Sequence, residues 1–146
     1  MSIESLSETN ARVFISLCLE LWPDCSFEEE YKAAQQILIS NQEVAFLYQT
    51  GEGAYVGFIN LSLRTDYVEG TDSSPVGYVE GLYVRESHRR TGIARALLVA
   101  GEEWCRQRGC VEMASDTELS NVLSQAFHRK AGFEEANRIV CFRKDL

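Results

Sequence analysis

The chain predicts a mixed α/β fold, in which a central and mostly antiparallel sheet carries helices on its faces. Three features of the sequence lead there. Two stretches with helical spacing come first, a glycine-rich hairpin signal joins two apolar runs in the middle, and the second half alternates strand-like and helix-like segments. Helices, then paired strands, then strand–helix–strand–helix–strand is an order that layers helices on a mixed sheet.

The elements follow in chain order. Val13, Phe14, Leu17 and Leu21 recur at helical spacing and predict a helix from Ser7 to Trp22, with Ser7 and Glu8 as capping residues and Pro23 as its stop. A second helix is expected over Ser26–Ser40, capped by Ser26 with acidic residues in its first turn, where the helix dipole favours them. Val44–Gln49 has strand character, and Gly51-Glu52-Gly53 turns it into a second strand, Tyr55–Arg64. Thr65–Val76 is a polar loop. Then come a strand at Gly77–Val84, a helix at Ala94–Arg108 closed by Gly109, a short strand at Val111–Ala114, and a helix at Leu119–Ala131 ending at Gly132. Phe133–Glu135 and Ile139–Arg143 are expected to form a last pair of strands.

At 146 residues, with 45% hydrophobic and 25% charged content, the sequence describes one soluble domain spanning residues 1–146. No apolar run reaches membrane-spanning length, and Met1–Asn10 lacks the basic and apolar regions of a signal peptide, so a cytoplasmic protein with no membrane partner is expected. A net charge of −8 opposes binding to nucleic acid and favours a cationic substrate. The five cysteines are scattered, with no CxxC pair, and with two histidines they give no metal-ligand spacing, so no metal is expected.

Within this frame one segment stands out. Arg89-Arg90-Thr91-Gly92-Ile93-Ala94 lies between a predicted strand and a predicted helix. A glycine-containing loop that opens a helix turns unpaired backbone N–H groups to one point, where the helix dipole and two arginines add positive charge. Such a loop suits a phosphate or pyrophosphate.

Arg89-x-x-Gly92-x-Ala94 resembles the acetyl-CoA pyrophosphate loop of the GCN5-related N-acetyltransferases (GNAT), and Asn121-x-x-Ser124-x-x-x-His128-x-x-x-Gly132-Phe133 resembles the fourth-helix pattern of the same superfamily. Leu21-Trp22-Pro23, Asp66-Tyr67-Val68, Asp72–Val76, Glu80–Val84, Met113–Asp116 and Gly132–Glu135 are similar to the aminoglycoside 6'-N-acetyltransferase subgroup. The resemblance covers nearly the whole chain. It implies a sheet splayed between its fourth and fifth strands, acetyl-CoA as co-substrate, an aminoglycoside as acceptor, and a homodimer.

It also assigns residues. Asp116 and Glu80 are the candidates for binding the amine and accepting its proton, and His128 holds the position of a tyrosine proposed to protonate the CoA thiolate. The backbone of Leu82, Tyr83 and Val84 would pair with pantetheine. Arg89, Arg90, Thr91, Gly92, Ile93, Ala94 and Arg95 would cradle the pyrophosphate, with Asn121 also at the cofactor. Trp22, Cys25, Tyr67 and Asn137 would line the acceptor pocket together with Glu80 and Asp116. Plainer roles compete: a salt bridge or solvent face for Glu80, a helix cap for Asp116 or Asn121, core packing for Trp22. Asn137 stands where relatives carry an acidic residue, Phe142 where a tyrosine is common, and Cys25 where a polar residue or histidine is frequent. The neighbouring readings are an acetyltransferase for a polyamine or protein N-terminus, and a non-catalytic acyl-CoA-binding module.

Overall fold

The computed structural model describes residues 1–146, built on a five-stranded sheet in the order β1-β2-β3-β4-β5. Strands β1 (Ser2–Ser5), β2 (Glu43–Gln49), β3 (Tyr55–Arg64) and β4 (Val76–Val84) are antiparallel to their neighbours, and β5 (Met113–Ser115) runs parallel to β4. Helices α1 (Ala11–Leu21) and α2 (Phe27–Ile39) separate β1 from β2. Helix α3 (Ile93–Gln107) makes the crossover from β4 to β5, and α4 (Val122–Lys130) follows β5.

Strand alternation sends side chains to both faces, and each face acquires its own core. Ala45, Leu47 and Phe58 meet Phe14, Ile15, Leu17 and Cys18 of α1 and Ala34 and Ile37 of α2. On the other face Ile59, Leu61 and Val79 meet Leu97, Leu98, Trp104 and Cys105 of α3. Each such side chain, taken fully out of water, contributes roughly 1.5–3 kcal/mol. The expected α/β fold with helices on both faces is what forms.

Local chemistry sets the helix ends. Ser26 accepts a hydrogen bond from the Glu29 N–H at 3.1 Å, and its hydroxyl donates to the Glu29 carboxylate at 3.1 Å, a reciprocal cap that starts α2. Gly109, at φ +83°, adopts the left-handed conformation just beyond the end of α3.

Several expectations need correction. The first helix begins at Ala11, not Ser7, and Asn10 is its cap. Asn10 accepts from the Ser7 N–H at 2.8 Å and donates to the Ser5 carbonyl at 3.1 Å, so Ser7 belongs to a turn that leaves β1. β1 itself was not anticipated, because its four residues carry a single apolar side chain, Ile3, and its position depends on the edge offered by β2. The fifth strand lies at Met113–Ser115 instead of Val111–Ala114, and the last helix starts after Asn121 instead of at Leu119. Neither final strand forms: residues 134–146 have no secondary structure, with Ile139, Val140 and Phe142 65–92% exposed. A strand needs an edge to pair with, and this segment does not return to the outer edge of β5.

Two irregularities shape the centre of the sheet. β4 pairs with β5 only at Gly77–Met113, Tyr78–Ala114 and Val79–Ser115, after which β4 runs on with β3 alone. This is the expected splay. In addition the β3–β4 register slips between Asn60 and Leu61: Asn60 faces Gly81 and Leu61 faces Val79, which leaves Glu80 as an extra residue. Such a bulge bends the strand and re-aims a side chain. Beside it, Gly81 makes room for Trp22, whose ring would lie 2.6 Å from a β-carbon at that position. Gly81→Ala is therefore expected to force Trp22 out of its seat and cost about 1–3 kcal/mol. A thermal melt checks this, and an unchanged Tm would show that the ring yields freely.

Candidate active site

The site lies where β4 and β5 part, and the backbone builds one half of it. After β4 the chain makes a short turn at Glu86–His88 and enters the loop that starts α3. Arg90 has φ +62°, unusual for a residue with a side chain, and Gly92 has φ +86° at the helix cap. Two residues in left-handed conformation wind the loop so that its amides face away from the chain. From Arg90 to Arg95 no backbone N–H donates to any group of the protein; bonding resumes at Ala96, which donates to Gly92. Six unsatisfied donors at the start of a fifteen-residue helix form a nest for an anion with several oxygens.

The arginines divide in role. Arg89 donates from Nε to the Val84 carbonyl at 2.8 Å and so ties the loop to the end of β4. Arg95 donates to the Lys130 carbonyl at 3.4 Å, linking α3 to α4. Arg90 has no such tie and is exposed. Thr91 donates to the His88 carbonyl, which tightens the turn. Ile93 is buried in the α3 core and Ala94 packs against it, so their part in the nest is their N–H groups.

The second half of the site is a chain of polar side chains running from Glu80 to Asp116. The Glu80 carboxylate accepts from the Ser62 hydroxyl at 2.6 Å and from Arg64 at 3.0–3.3 Å. The Arg64 guanidinium lies over the Tyr78 ring, 3.4 Å from its centroid, and the Tyr78 hydroxyl donates to Asp116. Burial, and then the hydrogen bond to Asp116, push the Tyr78 phenol well above its ordinary value, so it remains a donor. Asp116 is exposed and follows β5 directly, in the gap the splay opens. It does not cap the next helix; Asn121 does, accepting from the Ser124 N–H at 3.1 Å. Glu80 is salt-bridged to Arg64, the plainer role considered for it, and it also lines a cavity.

That cavity, about 350 Å³, is walled by Phe14, Cys18, Trp22, Cys25, Glu30, Ala33, Ile37, Asn60 and Glu80. Trp22 and Cys25 thus stand beside Glu80 as expected, and Trp22 packs against Phe58 as well. Burial first, and then the Glu30 carboxylate, raise the Cys25 thiol, which keeps it a neutral group and no nucleophile. A neighbouring carboxyl on β2, Glu43, is pushed up by burial and then by the charge of Glu80, a sign of negative potential on this face.

The remaining candidates lie further out. Tyr67 is 76% exposed in the Thr65–Pro75 loop, where its oxygen accepts from the Gly70 N–H at 3.4 Å. This loop is held by Glu112, which accepts from the Asp72 N–H and the Ser73 hydroxyl, bonds that draw its carboxyl below the ordinary range. Asn137 donates to Glu69 of the same loop at 2.9 Å. In His128, Nδ1 faces the Ser124 carbonyl at 2.7 Å and so carries a proton, and Nε2 lies 2.8 Å from the Ser115 hydroxyl. Both ring nitrogens are thereby engaged. Leu82 packs toward α3, Val84 is buried, and the Tyr83 hydroxyl donates to Glu20 at 2.9 Å, so these side chains hold the strand and leave only its backbone facing the gap.

Sequence reasoning missed Ser62, Arg64, Tyr78, Glu112 and Glu30. Arg64, Tyr78 and Glu80 lie at alternate positions of adjoining strands, a pattern that becomes informative only once the register is known.

A profile described as "Acetyltransferase (GNAT) family" matches residues 4–133. The chain is 42% identical over 137 residues to an aminoglycoside N(6')-acetyltransferase type 1 of Serratia marcescens, covering 94% of each. It is 41% identical over 145 residues to one of Stenotrophomonas maltophilia, covering 99% of this chain and 94% of that one. The chain belongs to the GNAT acetyltransferase family, in its aminoglycoside 6'-N-acetyltransferase branch. The structure of AAC(6')-Iy in complex with the bisubstrate analogue CoA-S-monomethyl-acetylneamine superposes with a TM-score of 0.96 at 36% identity, covering 99% of this chain and 98% of the other. Apo AAC(6')-IG from Acinetobacter haemolyticus gives a TM-score of 0.94 at 36% identity, covering 100% and 99%. The nest at Arg90–Arg95 fits a pyrophosphate by its free donors and charge. Arg90→Glu is expected to weaken CoA binding about tenfold or more, measured by calorimetry, since it reverses the one loop arginine not engaged elsewhere.

Proposed function

We propose that this protein transfers the acetyl group of acetyl-CoA directly to the 6'-amine of aminoglycosides. The observation that carries the reading is that β4 pairs with β5 only as far as Val79: Glu80 follows on β4, Asp116 follows on β5, and the loop with six free amides at Arg90–Arg95 leaves the end of the same β4. Its relatives of the same length carry that activity in their names. The acidic character of the chain, at −8, suits a polycationic acceptor and gives an association rate that falls with salt.

Acetyl-CoA supplies an activated acetyl group as a thioester. The nest would hold its pyrophosphate, and the edge of β4 at Leu82, Tyr83 and Val84 that turns away from β3 would receive the pantetheine amides. An N–H group of that edge would stabilise charge on the thioester carbonyl oxygen. The acceptor ammonium must lose a proton before it can attack. Asp116 is the better base, because its one side-chain donor is Tyr78, whereas Glu80 already accepts from Ser62 and Arg64. Glu80 then binds and orients the amine, with Trp22 and Tyr67 packing on the sugar rings and Cys25 and Asn137 at the pocket wall. Asn121 would flank the cofactor with its free amide nitrogen. In its imidazolium form His128 would donate its Nε2 proton to the Ser115 hydroxyl, which passes its own proton to the departing thiolate.

The test is thiol release from acetyl-CoA with a panel of aminoglycosides, polyamines and peptide N-termini. Turnover confined to polyamines or peptides would replace the acceptor, and none with any amine would leave an acyl-CoA-binding module. Asp116→Ala is expected to lower kcat by about 10²–10⁴-fold, with the Kd for acetyl-CoA nearly unchanged. Full turnover in that variant would remove Asp116 from proton transfer.

We propose further that residues 1–146 act as one domain, in the cytoplasm where acetyl-CoA is drawn on, and as a homodimer. Support for the dimer comes from residues 134–146, which expose Ile139, Val140 and Phe142, and from the unpaired outer edge of β5. Truncation after Glu134 should yield a monomer in sedimentation, and a dimer that survives would move the interface elsewhere.

A further inference from the structure

Glu30 has no part in the roles described so far, and its surroundings are unusual. Among the three acids in the first turn of α2, Glu28 and Glu29 are exposed and are accounted for by an ion pair with Lys32 and by the Ser26 cap. Glu30 turns inward and is 8% exposed. The other buried polar side chains are satisfied, Asn10 by Ser7 and Ser5, Thr71 by the Val68 carbonyl. Glu30 forms no ion pair with any lysine, arginine or histidine. The polar groups beside it are the thiols of Cys18 and Cys25, the weakest donors among protein side chains. A carboxylate taken out of water in this way is costly unless a cation meets it. The positive end of the α2 dipole offsets part of that cost.

The same carboxylate lines the 350 Å³ cavity that Glu80 also lines. Arg64 neutralises Glu80, and nothing in the chain neutralises Glu30. Apolar side chains, Phe14, Trp22, Ala33 and Ile37, make up much of the remaining wall, so charge on Glu30 is poorly screened. The missing positive charge has to come from whatever enters the cavity.

We propose that Glu30 is a second anionic subsite of the acceptor pocket, taking an ammonium group of the substrate other than the one that is acetylated. This rests on the amine-acetylation reading above and adds to it a reason for preferring acceptors with several amines. One ammonium lies at Glu80 and Asp116, and a second reaches the α2 wall. Burial first, and then the carboxylate, keep the Cys18 thiol far above its usual value; both neutral thiols can therefore release Glu30 to a stronger donor without leaving a charge behind.

The experiment compares the parent enzyme with Glu30→Gln, using pairs of aminoglycosides that keep the 6'-amine and differ by one other amine replaced with hydroxyl. The variant is expected to raise KM for the fully aminated compound about tenfold, the size of one lost charge-assisted hydrogen bond. Its kcat and its KM for acetyl-CoA should stay within about twofold, and at one amine position the parent's preference for amine over hydroxyl should vanish. Glu30→Asp, which keeps the charge but draws it back, should retain that preference with an intermediate KM, and it carries the comparison alone if Glu30→Gln does not fold. Kinetics of both variants superimposable on the parent's would overturn the assignment of Glu30 alone. A parent that releases no thiol with any aminoglycoside would overturn the functional reading itself. Equal losses for every member of every pair, together with a changed KM for acetyl-CoA, would make Glu30 a structural residue and sink the subsite.

Discussion

The unequal pairing of β4 is the constraint on which the rest of the structure depends. At its start the strand is hydrogen-bonded on both sides, to β3 and to β5. From Glu80 onward it has β3 alone. Backbone amides left unpaired inside a protein need another partner, and here the free edge faces the gap where an extended, amide-bearing ligand can lie. The gap also determines where the helix nest points, because the loop to α3 leaves from the same strand end and is tied back to it by Arg89. On the other bank the gap brings Asp116 to the surface at the end of β5.

The bulge at Glu80 works with that constraint. Regular alternation would repeat the facing of Val79 and Gly81 on either side; the extra residue instead presents a carboxylate to Ser62, Arg64 and the cavity. Positive charge is sparse and placed with economy around it. Arg64 serves Glu80 and covers Tyr78, while Arg85 pairs with Glu20, whose carboxyl is lowered first by that hydrogen bond. Asp116 and Glu30 are left without a cationic partner, Asp116 at the end of β5 and Glu30 in the wall of the cavity. The pocket is therefore anionic by arrangement, beyond what the acidic composition alone would give.

Much of this was legible in the sequence. The glycine loop predicted a phosphate seat, and its amides from Arg90 to Arg95 are free. The spacing of Asn121, Ser124, His128 and Gly132 identified the helix that follows β5, and Ser26 marked the start of α2. Three things were hidden. β1 has one apolar residue and exists because β2 presents an edge to it. The last two expected strands have strand-like composition and find no edge within the chain. Glu30 has the sequence context of an ordinary dipole-stabilising acid, like Glu28 and Glu29, and only the rotation of α2 about its axis turns it to the cavity.

What the sequence by itself determined is therefore local chemistry: the Ser26 cap of α2, the glycine that closes α3, and the anion-seeking backbone of the loop before α3. Such properties depend on neighbours a few residues apart. Only the tertiary structure decided which side chains share the cavity beside Glu80. Glu80, Trp22 and Glu30 come from three elements, and their meeting depends on a one-residue slip between β3 and β4, on Gly81 yielding space to an indole ring, and on the packing of α2 against the sheet. Those are long-range packing outcomes, settled by the burial of two cores on two faces of one sheet, and no local pattern encodes them.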